Sequence, residues 1–344
     1  MVVYAVWDRV ARVRFPASRQ NTKAASNTGG LCARIVRMIT YYFRTVKDDA
    51  LKEVSDIRTG VWIHVSKASE EELTDLFEKL ALDTDLIEDA LDFFEVPRME
   101  RSQGGTYFFT RYPYNEQKED TDTAPLLIVM GESFVMTVVQ RDIPQFKQFI
   151  EGKEVVHTTQ KTKLFLQIME AITDSFERQL HTLRRSVHKD RAQLRRIGNK
   201  EIERFVTYEH RLNDMVAALL PTSNALQQIA KGNHIHMYSD DMEYMNDLVI
   251  DNRQVVDSAG AVLKTIQNVR SATEAILTNN LNATIKTLTL LTILLTIPTI
   301  VASLYGMNVA LPLENSPYAF WFVMLLIAIL LAVVITTFRR KGYF

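Results

Sequence analysis

Two apolar segments close this chain, and they restrict its possible folds more than any other feature. They cover residues 287–305 and 319–338, and each is close to the roughly 20 residues that cross a bilayer core as a helix. The link between them carries no Lys or Arg and one acid, Glu314. Because both segments are long and basic residues lie at their ends, the sequence favours a membrane hairpin over a helical hairpin buried in a soluble protein.

Positive charge gives this hairpin a direction. Lys286 precedes the first segment, and a basic triplet, residues 339–341, follows the second. Lys and Arg collect at the cytoplasmic ends of membrane helices. We therefore expect both ends, including the tail 339–344, to be cytoplasmic and the loop 306–318 to lie outside.

Composition narrows the class of protein further. The chain has 344 residues and a formal net charge of −1, which argues against nucleic acid as the main partner. Its single cysteine, Cys32, excludes an internal disulfide framework and suits a reducing compartment. Since no apolar run stands at the N-terminus, we expect no secretory signal peptide.

Residues 1–37 differ from the rest of the chain because they are rich in basic residues and contain one acid, Asp8. They can be a disordered extension, or Met38 can be the true start of the protein. The alternative is an organelle transit peptide, which would place the protein in the mitochondrial inner membrane. The basic residues are Arg9, Arg12, Arg14, Arg19, Lys23, Arg34 and Arg37.

Residues 38–152 predict a cytoplasmic α/β domain. Helical spacing of apolar residues appears over 69–80, where Ser69 can cap the helix, and over 85–94. The segment 131–133 fits a tight hairpin turn. The predicted strands, which are rich in β-branched and aromatic residues, are 39–46, 60–66, 106–112, 126–130 and 134–140.

Residues 153–286 predict a stalk region of long helices. A first helix has an apolar stripe and ends at Gly198-Asn199, and a second covers 200–230 with Pro221 as an expected kink. From 239 to 305 only Gly260 and Pro298 interrupt the helical pattern; as one helix this stretch is roughly 100 Å long. The stripe of the first helix is Ile172, Phe176, Leu180, Leu183 and Val187.

A row of hydroxyl groups follows one face of the first apolar segment. Spacings of three and four residues place them together on a helix, and the row extends back to Ile285 and Asn282. Such residues can bond their own backbone or a neighbouring helix. A continuous row is better interpreted as a pore lining, which requires several copies of the chain around an axis. We call this the hydroxyl row: Thr289, Thr292, Thr296, Thr299 and Ser303.

The turn after the first segment begins Tyr305-Gly306-Met307-Asn308. Between two C-terminal spans this motif resembles that of the CorA family of magnesium transport proteins. Segments 87–91, 96–100, 219–221 and 282–286 are also similar to the family. The resemblance implies an α/β cytoplasmic domain, a long helical stalk and two transmembrane helices in a CorA-like homopentameric funnel. It implies that residues 306–308 form the selectivity filter.

The resemblance also implies a regulatory metal site at a subunit boundary, with Asp89, Asp247, Asp251 and Glu274 as candidates. The sequence departs from the family here, because Ser271 stands where an acid would face Asp89. Pro298 lies about one residue from the usual proline of the first span. The branch of the family, magnesium-transporting or zinc-transporting, stays open.

No motif of an enzyme or an ATP-driven pump is found, and no organic cofactor is expected. His234-x-His236 is interpreted as part of a solvated connection. The sequence thus predicts a Mg²⁺ channel, with Co²⁺ or Ni²⁺ as further ions, gated by cytoplasmic Mg²⁺, in the cell (inner) membrane. The alternatives are a Zn²⁺ transporter and a membrane-anchored coiled-coil scaffold without ion flux.

Overall fold

The computed structural model describes residues 38–114, 122–192, 199–232, 235, 237–307 and 317–340. Within these residues, seven strands form one sheet in the order β2-β1-β3-β7-β6-β5-β4, and only the β3–β7 pair is parallel. The strands are β1 (Ile39–Phe43), β2 (Lys52–Val54), β3 (Val61–Ser66), β4 (Arg98–Ser102), β5 (Gly105–Tyr114), β6 (Asp122–Gly131) and β7 (Phe134–Val139).

Helices cover both faces of this sheet. The first two are α1 (Glu70–Lys79) and α2 (Ile87–Leu91), and α3 (Lys147–Ile150) is a short turn after β7. Three long helices follow, α4 (Lys161–Arg191), α5 (Asn199–Lys231) and α6 (Ser239–Tyr305), and then α7 (Ala319–Arg340). The order of elements confirms the predicted α/β part, long stalk helix and C-terminal pair of helices.

Successive side chains of each strand point to opposite faces of the sheet, so the hydrophobic core has two parts. Trp62 and Phe108 point to the cluster that includes α4, α5 and α6, whereas Ile63 and Phe109 point to the cluster beneath α1 and α2. Successive residues of a strand face opposite sides of the sheet, so neighbouring apolar residues serve different layers. The result is a three-layer α/β/α arrangement.

Two sequence expectations in this part were incomplete. The strands β2 and β4 are absent from the strand prediction. The helix predicted over 85–94 is shorter, because a 3₁₀ turn, Thr84–Leu86, precedes α2 and the chain becomes extended at Asp92 (ψ 119°). Ser69 caps α1 as predicted, in a reciprocal pair with Glu72.

The long helices pack lengthwise against one another. The predicted stripe on α4 is buried throughout, from Ile172 to Val187. α5 runs antiparallel to α6 and continues through Pro221. Polar contacts join the helices at several levels, such as Arg270 Nη1 with Glu209 Oε2 at 3.2 Å and Tyr208 Oη donating to Asp190 Oδ2 at 3.0 Å. α6 is one helix over the whole predicted range.

Candidate functional site

The C-terminal part of α6 and all of α7 have the properties of membrane helices. Both are long and apolar enough to cross a bilayer. Of their most apolar stretches, only 11% of residues in α6 and none in α7 are buried within the chain. A core helix of a soluble protein would bury most of such a stretch, so these helices need an apolar environment outside the chain.

The hydroxyl row is exposed along its whole length in the single chain. Each Thr hydroxyl donates to the carbonyl oxygen four residues earlier, at 2.8 Å for Thr289, 2.9 Å for Thr292, 2.7 Å for Thr296 and 2.8 Å for Thr299. These bonds use the hydroxyl hydrogen and leave lone pairs of the oxygen pointing away from the backbone. The row therefore presents hydrogen-bond acceptors.

The opposite side of the same helix packs within the chain. Leu290 and Val301 are the buried residues of this segment, at 8% and 7% exposure, and α7 contacts α6. At 100° per residue, both lie roughly 120–140° around the helix from Thr296. Leu294 and Pro298, on the packed side, are half-buried. α7 thus leaves the hydroxyl row uncovered in the single chain.

α6 ends directly before the segment Gly306-Met307-Asn308. Gly306 follows the last helical residue, and its N–H donates to Ala302 O at 2.9 Å. Its φ is −86°, so the left-handed freedom of glycine is not used there; a Cβ would lie 3.3 Å from the Ala302 carbonyl oxygen. Met307 is exposed. Asn308 lies outside the described residues, as do Glu314, His234 and His236.

Just before the apolar segment 287–305, Asn282 and Ile285 continue the face of the hydroxyl row. Both are exposed, Ile285 at 52%. The same face therefore runs from the stalk into the membrane segment.

The four candidate regulatory acids have different surroundings. Asp89 Oδ2 lies 2.6 Å from Arg98 Nη2, and Glu274 Oε1 lies 3.9 Å from Arg270 Nε. Asp247 and Asp251 are exposed on α6. Within the described part of one chain, no group of three or more His, Cys, Asp or Glu side chains is arranged to hold a metal ion.

His64 and Tyr244 each bond a neighbouring polar side chain within the chain. Burial lowers the pKa of His64 to about 4, so this side chain is neutral near pH 7, and its Nδ1 lies 3.0 Å from Thr137 Oγ1. Near the start of α6, Tyr244 donates to Glu170 on α4. Burial, and then this bond to a carboxylate, raises the pKa of Tyr244.

Sequence reasoning missed Arg98. Besides Asp89, its guanidinium contacts Glu95 and Glu100 and lies 4.2 Å from the centre of the Phe109 ring. The only local signal was its position directly after Pro97, at the start of a strand. That position gave no indication of which acids it would meet.

Comparison with solved structures identifies the fold. The CorA magnesium transporter of Methanocaldococcus jannaschii aligns with a TM-score of 0.79 at 21% identity, covering 90% of this chain and 100% of that chain. The full-length CmaX protein aligns with a TM-score of 0.71 at 16% identity, covering 88% of this chain and 97% of that chain. The cytoplasmic domain of ZntB from Vibrio parahaemolyticus aligns with a TM-score of 0.60 at 8% identity, covering 70% of this chain and 98% of that chain.

Sequence comparison agrees with the structural match. The cobalt/magnesium transport protein CorA of M. jannaschii is 25% identical over 308 residues, which cover 87% of this chain and 96% of the relative. The model of the family described as CorA-like Mg²⁺ transporter protein matches residues 58–340. That match includes strands β3 to β7 of the sheet, the stalk and both membrane helices. This chain therefore belongs to the CorA-like Mg²⁺ transporter family and is a divalent-cation transporter with two C-terminal transmembrane helices.

Proposed function

We propose that the chain forms a homopentameric channel that carries Mg²⁺ into the cytoplasm, driven by the membrane potential and the ion gradient. The hydroxyl row supports this most directly, because it is uncovered while α7 packs on the opposite side of α6. A membrane anchor or scaffold would have no use for such a row. One protomer cannot enclose water, so copies of α6 would surround the axis with α7 outside.

The chemistry of the row suits a hydrated cation. Mg²⁺ gives up its water ligands reluctantly, and those waters donate hydrogen bonds. The Thr oxygens can accept them, since their own hydrogens are bound to Ile285, Leu288, Thr292 and Leu295 carbonyls. A lining of acceptors thus favours a hydrated cation over an anion.

We propose that Gly306, Met307 and Asn308 form the filter at the outer mouth of the pore. The observed end of α6 at Tyr305 supports this, because it begins the turn at the end of the hydroxyl row. Five neutral amide oxygens would attract a hydrated divalent ion without holding it so tightly that conduction stops. Lys286 and the basic residues after α7 favour cytoplasmic termini and a location in the cell membrane.

Cytoplasmic Mg²⁺ is proposed to favour a closed state. Asp89 and the acids on α6, which include Asp247, Asp251 and Glu274, would repel one another across subunit boundaries, and a bound divalent ion would hold them together. Such a ligand shifts the equilibrium only as far as it binds the two states differently.

Flux into liposomes tests the proposed function. Purified protein should carry Mg²⁺ inward faster than Zn²⁺, Co²⁺ or Ni²⁺, and should restore growth at low Mg²⁺ in cells without their own uptake. The fold likeness to the ZntB domain keeps Zn²⁺ as the comparison ion. Zn²⁺ flux without Mg²⁺ flux, or no growth despite good membrane expression, would contradict the assignment to Mg²⁺.

Single cysteines test which side of α6 faces water. Cys at Thr292, Thr296 or Thr299 is expected to react with a membrane-impermeant thiol reagent. Cys at Leu290, which is 8% exposed against the rest of the chain, or at Leu294 is expected to stay unlabelled. A background with Cys32 replaced by Ser removes the native thiol. Equal labelling of both sets would show that the hydroxyl row does not line a pore.

A further inference from the structure

The Arg98 guanidinium lies among three carboxylates on the face of the sheet that α1 and α2 cover. Its Nη2 is 2.6 Å from Asp89 Oδ2 and its Nε is 3.4 Å from Glu100 Oε2, while Nη1 pairs with Glu95. The ring of Phe109 lies 4.2 Å from the guanidinium carbon, within the range of a cation–π contact. The positive charge next to the Asp89 carboxylate is therefore the Arg98 side chain.

This cation connects elements that are separate in the sequence. Asp89 belongs to α2, Glu95 to the loop after it, and Arg98 and Glu100 to β4, which pairs with Phe109 on β5. The Asp89 and Arg98 side chains are 38% and 33% exposed. Solvent and dissolved ions therefore reach the pair.

We propose that Arg98 competes with Mg²⁺ for the Asp89 carboxylate and so sets the Mg²⁺ concentration to which the cytoplasmic part responds. The inference rests on the proposed function in taking Mg²⁺ as the regulating ion. It assigns to Arg98 a role in regulation, whereas the transport pathway lies elsewhere in the chain.

The exchange is physically reasonable because Arg98 has other partners. When Asp89 turns to a divalent ion, the guanidinium keeps Glu95, Glu100 and the Phe109 ring, so no charge is left buried and unpaired. Mg²⁺ takes carboxylate oxygens readily and keeps most of its water. A partly exposed ion pair of this kind changes an affinity by roughly fivefold.

The experiment measures the melting temperature of the full-length protein in detergent as a function of Mg²⁺ concentration. Removing the competitor by Arg98→Gln is expected to lower the half-maximal Mg²⁺ concentration by about fivefold. Arg98→Lys keeps the charge but not the forked geometry, and its midpoint should fall between the two. Arg101→Gln, on the same strand and exposed, removes an equal charge and should leave the midpoint unchanged.

A double variant identifies the carboxylate concerned. Asp89→Asn together with Arg98→Gln should lose the gain in Mg²⁺ sensitivity. An unshifted Arg98→Gln midpoint, a shift that persists in the double variant, or no Mg²⁺ response in either the native protein or Arg98→Gln would overturn the proposal. A response that appears only in Arg98→Gln supports it. Liposome flux is measured separately, so loss of Mg²⁺ transport with a shifted midpoint would refute the proposed function alone.

Discussion

Replacing Asn308 by glycine is expected to abolish Mg²⁺ flux while the oligomer still assembles. In a pentamer the substitution removes five amide oxygens at one level of the proposed outer mouth. Glycine can adopt any conformation available to asparagine, so the turn after Gly306 and Met307 is still possible. The loss would then come from the missing oxygens, which a hydrated divalent ion needs as acceptors.

The measurement combines Mg²⁺ flux into liposomes with size-exclusion chromatography of the same preparation. Asn279→Gly is the matched control, because it removes an exposed Asn amide from α6 on a side away from the hydroxyl row. An Asn that only ends the helix in the left-handed conformation would tolerate glycine. An assembled Asn308→Gly protein that conducts with native selectivity would therefore refute the role in the filter.

The long helices could be predicted from the sequence because their signals are local. α6 has its observed ends, Ser239 and Tyr305, where the helical pattern was expected to begin and stop. The apolar stripe of α4 was predicted from its spacing alone and is buried. Helical periodicity needs only neighbours three and four residues away, and these are present in the sequence.

Short and irregular elements escaped prediction for an equally physical reason. β2 has only three residues, and both Lys52 and Glu53 are exposed, so no alternation of polar and apolar residues marks it. The expected helix over 85–94 is cut short after Leu91, where Asp92 bonds the Phe94 N–H at 2.8 Å and starts a turn. Competition of an Asp side chain with the helical backbone favours such turns.

The candidate functional site likewise has one part that could be predicted from the sequence and one part that could not. The hydroxyl row follows from spacing within one helix, and the structure leaves it exposed. The pairing of Asp89 with Arg98 crosses from a helix to a strand nine residues later. It depends on how α2 is positioned over β4 and β5, and no local pattern gives that information.

Replacing Thr296 by valine is expected to lower Mg²⁺ flux by at least about tenfold. Valine has nearly the shape of threonine and the same branching at Cβ, so the helix keeps its packing. The change removes a hydroxyl that donates to Thr292 O at 2.7 Å and with it an acceptor facing the proposed pore. Five methyl groups at one level would make that part of the pore hard to wet. One lost hydrogen bond to the permeating ion's water shell, at about 1.4 kcal/mol, corresponds to the tenfold change.

Thr336→Val in α7 separates this effect from damage to a membrane helix. Thr336 is also exposed in the single chain, and its hydroxyl likewise donates within its own helix, to Ala332 O at 2.8 Å and to Val333 O at 3.0 Å. Both variants therefore lose an equivalent intrahelical hydrogen bond, and they differ in which helix carries the hydroxyl. Flux through Thr336→Val should stay within about twofold of the native protein, since this hydroxyl is bonded within α7 and does not belong to the hydroxyl row. If both variants reduced flux equally in liposomes containing matched amounts of assembled protein, the hydroxyl row would have a role in helix packing and the pore lining would have to be sought on another face of α6.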